Sequence, residues 1–152
     1  MTTISTNLQA VRARIAAAAQ LAGRAVEDIR LLAVSKTFPP ERIREAAQAS
    51  QIAFGENYLQ ESLGKIAALA DLGLEWHFIG PLQSNKTRPV AEHFSWVHGI
   101  ERLKIAERLA ERHQVEVFAT RALDYLEWKN HYAEGTEVVN DIPVHQHSVK
   151  HT

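Results

Sequence analysis

Residues 31–40 read Leu31-Leu32-Ala33-Val34-Ser35-Lys36-Thr37-Phe38-Pro39-Pro40. An apolar run ends in a lysine, and a pair of prolines then opens a new element. The run "IRLLAVS" is short, bounded by charge and proline, and apolar at consecutive positions. That pattern predicts a strand of a parallel sheet covered on both faces. Pro39 and Pro40 suit the first turn of a helix, where a missing N–H costs nothing, and Glu41 complements the positive end of its dipole. The helix is expected to run through Ile43, Ala46 and Ala47 to about Ser50.

The same strand-then-helix pattern recurs on the C-terminal side. "IAFGEN" (residues 52–57) predicts a second strand, followed by a helix with Leu59, Leu63, Ile66 and Leu69 at helical spacing. "EWHFIG" (75–80) predicts a third, followed by "SNKTRPVAEHF", where Ser84 would cap and Pro89 would bend the early turns. "WVHGI" (96–100) predicts a fourth, followed by a helix carrying Leu103, Ala106, Leu109 and Ala110. On the N-terminal side, Ile4, Leu8, Val11 and Ile15 mark an amphipathic helix with Arg12 and Arg14 on its wet side, stopped by Gly23. Four strand–helix units in succession argue for an α/β fold with a parallel sheet, either a (β/α) barrel or an open doubly wound sheet. Beyond Arg112, "VEVFAT" (115–120) alternates like a fifth strand and "RALDYLEWKNHY" has helical character. "VVNDIPVHQHSVKHT" resembles a tail more than a packed element.

Bulk composition sets limits on function. A chain of 152 residues is long enough for one domain with a real core. A net charge of -1 gives no general attraction to nucleic acid or to an anionic membrane. With no cysteine there is no disulfide and no thiolate metal site, which fits a reducing compartment. The first 20 residues lack the basic start and unbroken apolar core of a secretory signal, and no stretch reaches the roughly 18 apolar residues of a membrane span. A cytoplasmic location is the expectation.

In parallel α/β proteins, ligand-binding groups stand at the C-terminal ends of strands. Four such ends carry polar groups here: Ser35 with Lys36, Glu56 with Asn57, His77 near Gly80, and His98. Lys36 is the sharpest candidate. A lysine between strand and barrel wall loses hydration, which lowers its pKa and frees the amine to attack a carbonyl; the plainer reading is a lysine that meets solvent after a strand. Asn57 and His77 would hydrogen-bond an aromatic ring or its oxygen substituent, or else satisfy nearby backbone groups. Lys86 and Arg88 beside Ser84 and Asn85 read as a solvated helix face in preference to an anion site. His145, His147 and His151 have metal-catching spacing, but without thiolates or carboxylates nearby a structural zinc site is not expected.

Together, "LLAVSKTFPP", "FGENYLQE", "LEWHFIGPLQSNK" and "VAEHFSWVHGIERLKIAERL" resemble the pyridoxal phosphate homeostasis protein family, single-domain relatives of the alanine racemase barrel. The resemblance covers about residues 4–112. It implies a (β/α) barrel of the alanine racemase N-terminal type, with Lys36 holding pyridoxal 5'-phosphate (PLP) as a Schiff base and Asn57 and His77 lining the ring side of the barrel mouth. It further implies a role in intracellular PLP homeostasis with little or no catalysis. The alternatives are a racemase-type PLP enzyme of the same fold, disfavoured by the absence of a second domain and an opposite-face base, or a remnant with impaired PLP binding.

The 40 residues from 113 to 152 depart from the family's pattern. The expectation is therefore a partial barrel of four or five βα units over residues 1–112, then a divergent segment of at most one further unit plus a tail. In barrels of this kind the loops after the last strands hold the phosphate. Their loss predicts weakened cofactor binding, and the uncovered sheet edges predict a homo-oligomer.

Overall fold

The computed structural model describes residues 3–111, Gln114, 116–120, 135–139 and 142–147. It divides into two compact units: Met1–Pro81 with His93–Gly99, and Leu82–Glu92 with Ile100–Thr152.

The first unit opens with α1 (Thr3–Leu21), followed by β1 (Ala33–Val34), α2 (Pro40–Gln48), β2 (Ala53–Glu56), α3 (Leu59–Ala68), β3 (Glu75–Phe78) and β4 (Trp96–Val97). Gly23, at φ +64°, ends α1 in the left-handed conformation, and Arg24 N–H closes the end by donating to Ala19 O at 2.9 Å. As the double proline predicts, α2 starts at Pro40, with Pro39 extended as its cap residue. Ile43 and Ala46 are its buried positions. One expectation for α1 is corrected. Arg12 is not on a wet face: it donates to Ala49 O at 2.8 Å and to Ser50 O at 2.9 Å, just past the C-terminal end of α2. A guanidinium there satisfies carbonyls that the helix leaves open and meets the negative end of its dipole.

The four strands form one parallel sheet in the order β1-β2-β3-β4. The strands lie side by side in the order in which the chain makes them. A doubly wound sheet reverses direction partway, whereas successive right-handed crossovers that always step the same way put every helix on one face. The fold is α/β with a four-stranded parallel sheet, an arrangement compatible with part of a barrel. Register fixes the two faces, because side-by-side partners in a parallel sheet share a face. Ala33, Phe54 and Trp76 align, as do Glu56 and Phe78. Phe54, Glu56, Trp76 and Phe78 are buried, with Phe54 tilted against Trp76 and Phe78 edge-on to Phe94. On the other face stand Val34, Gly55, His77 and Trp96.

That second face corrects the reading of the first strand. β1 has only two residues and one paired neighbour, and Val34 is 49% exposed. An edge strand has no sheet on its outer side to bury it, so an apolar run does not by itself mean cover on both faces.

The second unit contains α4 (Thr87–His93) up to Glu92, α5 (Leu103–Ala110) and a three-stranded sheet of β5 (Val117–Thr120), β6 (Gly135–Val139) and β7 (Ile142–His147). Its strand order is β5-β7-β6, with β5–β7 parallel and β6–β7 antiparallel. The expected fifth strand exists, but within this mixed sheet. The segment read as a tail, from Val138 on, supplies β7 and the last two residues of β6, pairing Val139 with Ile142. The helix expected at "RALDYLEWKNHY" lies outside the described residues. Ser84 does not cap through its side chain. Its carbonyl accepts instead from Thr87 Oγ1 at 3.0 Å and Arg108 Nη1 at 2.8 Å. Arg88 pairs with Glu92 one turn on at 2.9 Å, as a solvated helix face does. His145 stands on β7, 3.6 Å from Glu116; His151 lies outside the described residues.

Candidate functional site

The candidate residues lie on or just after three strands of the first unit. β1 runs out through Ser35, whose N–H still donates to Gly55 O at 2.9 Å, so the ladder continues to the residue before Lys36. Val34, Gly55 and His77 lie side by side on the face opposite Phe54 and Phe78. Lys36 follows Val34, and Asn57 follows Gly55, by two residues, each just past its strand.

Lys36 itself occupies the turn after β1 and is exposed. The expected desolvation is not found, because its strand is the edge described above. The turn is nonetheless firmly built. Phe38 N–H closes it onto Ser35 O at 3.1 Å, and Thr37 adopts φ +67°, a left-handed conformation unusual for a branched residue.

Asn57 follows β2. Its Oδ1 is buried and has no hydrogen-bond donor among the described residues, and a buried acceptor without a donor costs free energy. The backbone of Asn57 is overlaid by Gly80 at the end of β3. A Cβ on Gly80 would stand 2.5 Å from Asn57 O and 3.0 Å from its Cα, so only glycine lets the two strand ends meet.

His77 lies within β3, lower on the same face, and is 8% exposed. Both ring nitrogens are engaged: Nε2 with Glu75 Oε1 at 2.7 Å and Nδ1 with His98 Nε2 at 3.0 Å. Trp96 stacks on its ring almost in parallel, with centroids 5.9 Å apart. Arg30 extends the chain of contacts by binding both Glu75 oxygens at 3.0 and 3.2 Å. Burial alone would raise the Glu75 carboxyl, but hydrogen bonds from His77 and Arg30 overcome it and hold the group below its ordinary value. Burial, with the nearby His77, lowers the His98 pKa. His77 therefore has neither ring nitrogen free.

The sequence reading named Ser35, Glu56, His77 and His98 as polar strand ends but missed what joins them. It had no role for Arg30, Glu75 or Trp96, although Glu75 and His77 at i, i+2 on one strand necessarily share a face. Lys65 was also passed over. It lies on α3, buried, and donates to Ser35 O at 2.9 Å and to both Glu56 oxygens at 3.0 and 3.2 Å. Among the described residues no group of three His, Cys, Asp or Glu side chains is arranged to hold a metal ion. Likewise, among those residues, no helix is long and apolar enough to cross a membrane.

The first unit is thus a βα protein with a sequential parallel sheet, an amine after its first strand, an amide after its second and a doubly hydrogen-bonded imidazole on its third. Known proteins make that class more specific. No protein-family model matches the chain. It is 63% identical over 112 residues to the pyridoxal phosphate homeostasis protein of Pseudomonas aeruginosa, covering 74% of this chain and 49% of that one. To the protein of the same name from Vibrio cholerae it is 56% identical over 121 residues, covering 77% and 51%. Among solved structures it is similar to PipY of Synechococcus elongatus with PLP bound, at a TM-score of 0.60 and 38% identity, covering 73% of this chain and 55% of PipY. Over about three quarters of its length, then, the chain is homologous to pyridoxal phosphate homeostasis proteins, as its four motifs imply. It spans about half the length of the curated relatives it matches.

Proposed function

We propose that this chain binds pyridoxal 5'-phosphate covalently through the Lys36 amine and serves intracellular PLP homeostasis as a carrier, with little or no turnover. The observation that supports this reading is the register Val34–Gly55–His77, with Lys36 and Asn57 following close after the ends of the first two strands. The cofactor, when bound, supplies an aldehyde carbon to an amine and a flat, polar pyridine ring.

The residues present fit such a group. Lys36 is exposed, so its amine is open to a carbonyl carbon. The buried Oδ1 of Asn57 accepts an N–H or O–H from the ring. His77, clamped between Glu75 and His98 and stacked on Trp96, supplies a rigid aromatic wall. On this reading the four-stranded sheet is part of a (β/α) barrel of the alanine racemase type spanning residues 1–112, and residues 113–152 form a divergent segment. The protein acts in the cytoplasm, and the outer edges of β1 and β4 are where a second copy would pair.

Titration of the purified chain with PLP, followed by absorbance of the bound aldehyde, tests the reading. Saturable binding that is lost in Lys36→Ala supports it. Equal binding by Lys36→Ala and the wild type overturns it.

A further inference from the structure

The amine at residue 36 is exposed, yet the turn that carries it is held on three sides from beneath the sheet. Ser35 is fixed twice: its hydroxyl donates to Glu56 Oε1 at 2.6 Å, and its carbonyl accepts from Lys65 Nζ at 2.9 Å. Thr37 N–H donates to Glu61 Oε1 at 2.8 Å. Glu61 in turn pairs with Lys65, one helical turn further along α3. Lys65 Nζ thus faces Ser35, Glu56 and Glu61, while its side chain is 5% exposed and that of Glu56 fully buried.

Burying an ion pair is not the cheapest way to fill the space between a helix and a sheet; apolar side chains of similar volume do as well or better. The arrangement makes sense by what it touches. It grips the residues immediately before and after Lys36 and nothing else of the β1 end. At the second of those grips Thr37 is in the left-handed region, which a branched residue avoids when left to itself. A carboxylate receiving the Thr37 N–H stabilises that conformation. Consistent with this, the hydrogen bond from Lys65 first and that from Thr37 after it lower the Glu61 pKa against the effect of burial.

We propose that Glu61, Lys65 and Glu56 are positioning residues for Lys36: an ion cluster on the helix side of the sheet that sets the backbone of the Lys36 turn and so aims its amine at an incoming aldehyde. The inference rests on Lys36 being the cofactor-bearing amine. Glu61 is the member to remove, since its side chain is 37% exposed and its loss leaves Glu56 paired with Lys65.

Three chains are compared: wild type, Glu61→Ala, and Glu61→Ala with Thr37→Asn. Asparagine tolerates the left-handed conformation and so replaces what the carboxylate supplied. Two readouts are taken: borohydride-trapped PLP on Lys36 by peptide mapping, and, without cofactor, the pH titration of the Thr37 amide proton by NMR. Glu61→Ala is expected to lower the rate of Lys36 labelling about tenfold, the cost of one disfavoured backbone conformation. The double variant is expected to regain most of it. In the wild type the Thr37 amide shift is expected to follow Glu61, with a midpoint below 4.5. Labelling of Lys36 within twofold of wild type in Glu61→Ala, no recovery in the double variant, or a Thr37 amide blind to pH in this range would each overturn the proposal. Absence of Lys36 labelling in the wild type would instead overturn the cofactor reading, and the amide titration would still report on the cluster.

Discussion

Lys65 Nζ lies 3.0 and 3.2 Å from the two carboxylate oxygens of Glu56, in a place water does not reach. The pair joins α3 to the end of β2, directly below the turn that carries Lys36. Removing one partner strands the other charge in the interior. Lys65→Met should therefore destabilise the protein by about 3–5 kcal/mol. Combining it with Glu56→Gln, which removes the stranded charge, should recover part of that loss. Urea unfolding of the two variants checks both expectations.

The contact between Gly80 and Asn57 leaves no room for a methyl group. A Cβ on Gly80 meets backbone at 2.5 Å, and backbone does not yield as a flexible side-chain tip would. Gly80→Ala should cost about 1–3 kcal/mol of stability and, by displacing Asn57, weaken PLP binding more than Asn57→Ala does. Comparing Kd for the two variants tests the second part.

Arg12 closes the end of α2 from α1, through the carbonyls of Ala49 and Ser50. Arg12→Ala should lower stability by about 1 kcal/mol, visible as a shift in the thermal midpoint, with Lys36 labelling unchanged.

Acid should weaken the fold in two stages. His98 has a folded pKa below 6.5, so the unfolded chain binds its proton first as pH falls, and stability drops from about 6.5 down to the folded value. Glu75 has a folded pKa below 4.5; its contribution is complete above 4.5 and is lost as pH falls through the folded value. In His98→Gln the first stage should disappear while the second remains, which denaturation midpoints measured between pH 7 and 3 will show.

Much of this arrangement is legible in the residues alone. Four apolar runs, each followed by a helical pattern, give the parallel sheet, and their C-terminal ends single out Lys36, Asn57 and His77 as candidates before any coordinates are seen. Other features are hidden for physical reasons. Glu61 and Lys65 have the i, i+4 spacing of an ordinary solvated pair, and nothing local reveals that Lys65 turns inward to reach Glu56. The exposure of Val34 and Lys36 follows from β1 being an edge, which depends on strand order and not on the apolar run. At the C-terminal end the stretch that reads as a tail forms β7, and β7 tolerates Pro143 although proline removes a ladder donor. Its partner there is Val138 of β6, in an antiparallel ladder.

The most direct measurement is to incubate the purified chain with pyridoxal 5'-phosphate, reduce with borohydride, digest and map the modified lysine. Label concentrated on Lys36, and gone in Lys36→Ala, is the predicted result. No label, or label spread evenly over the other lysines, would contradict the account.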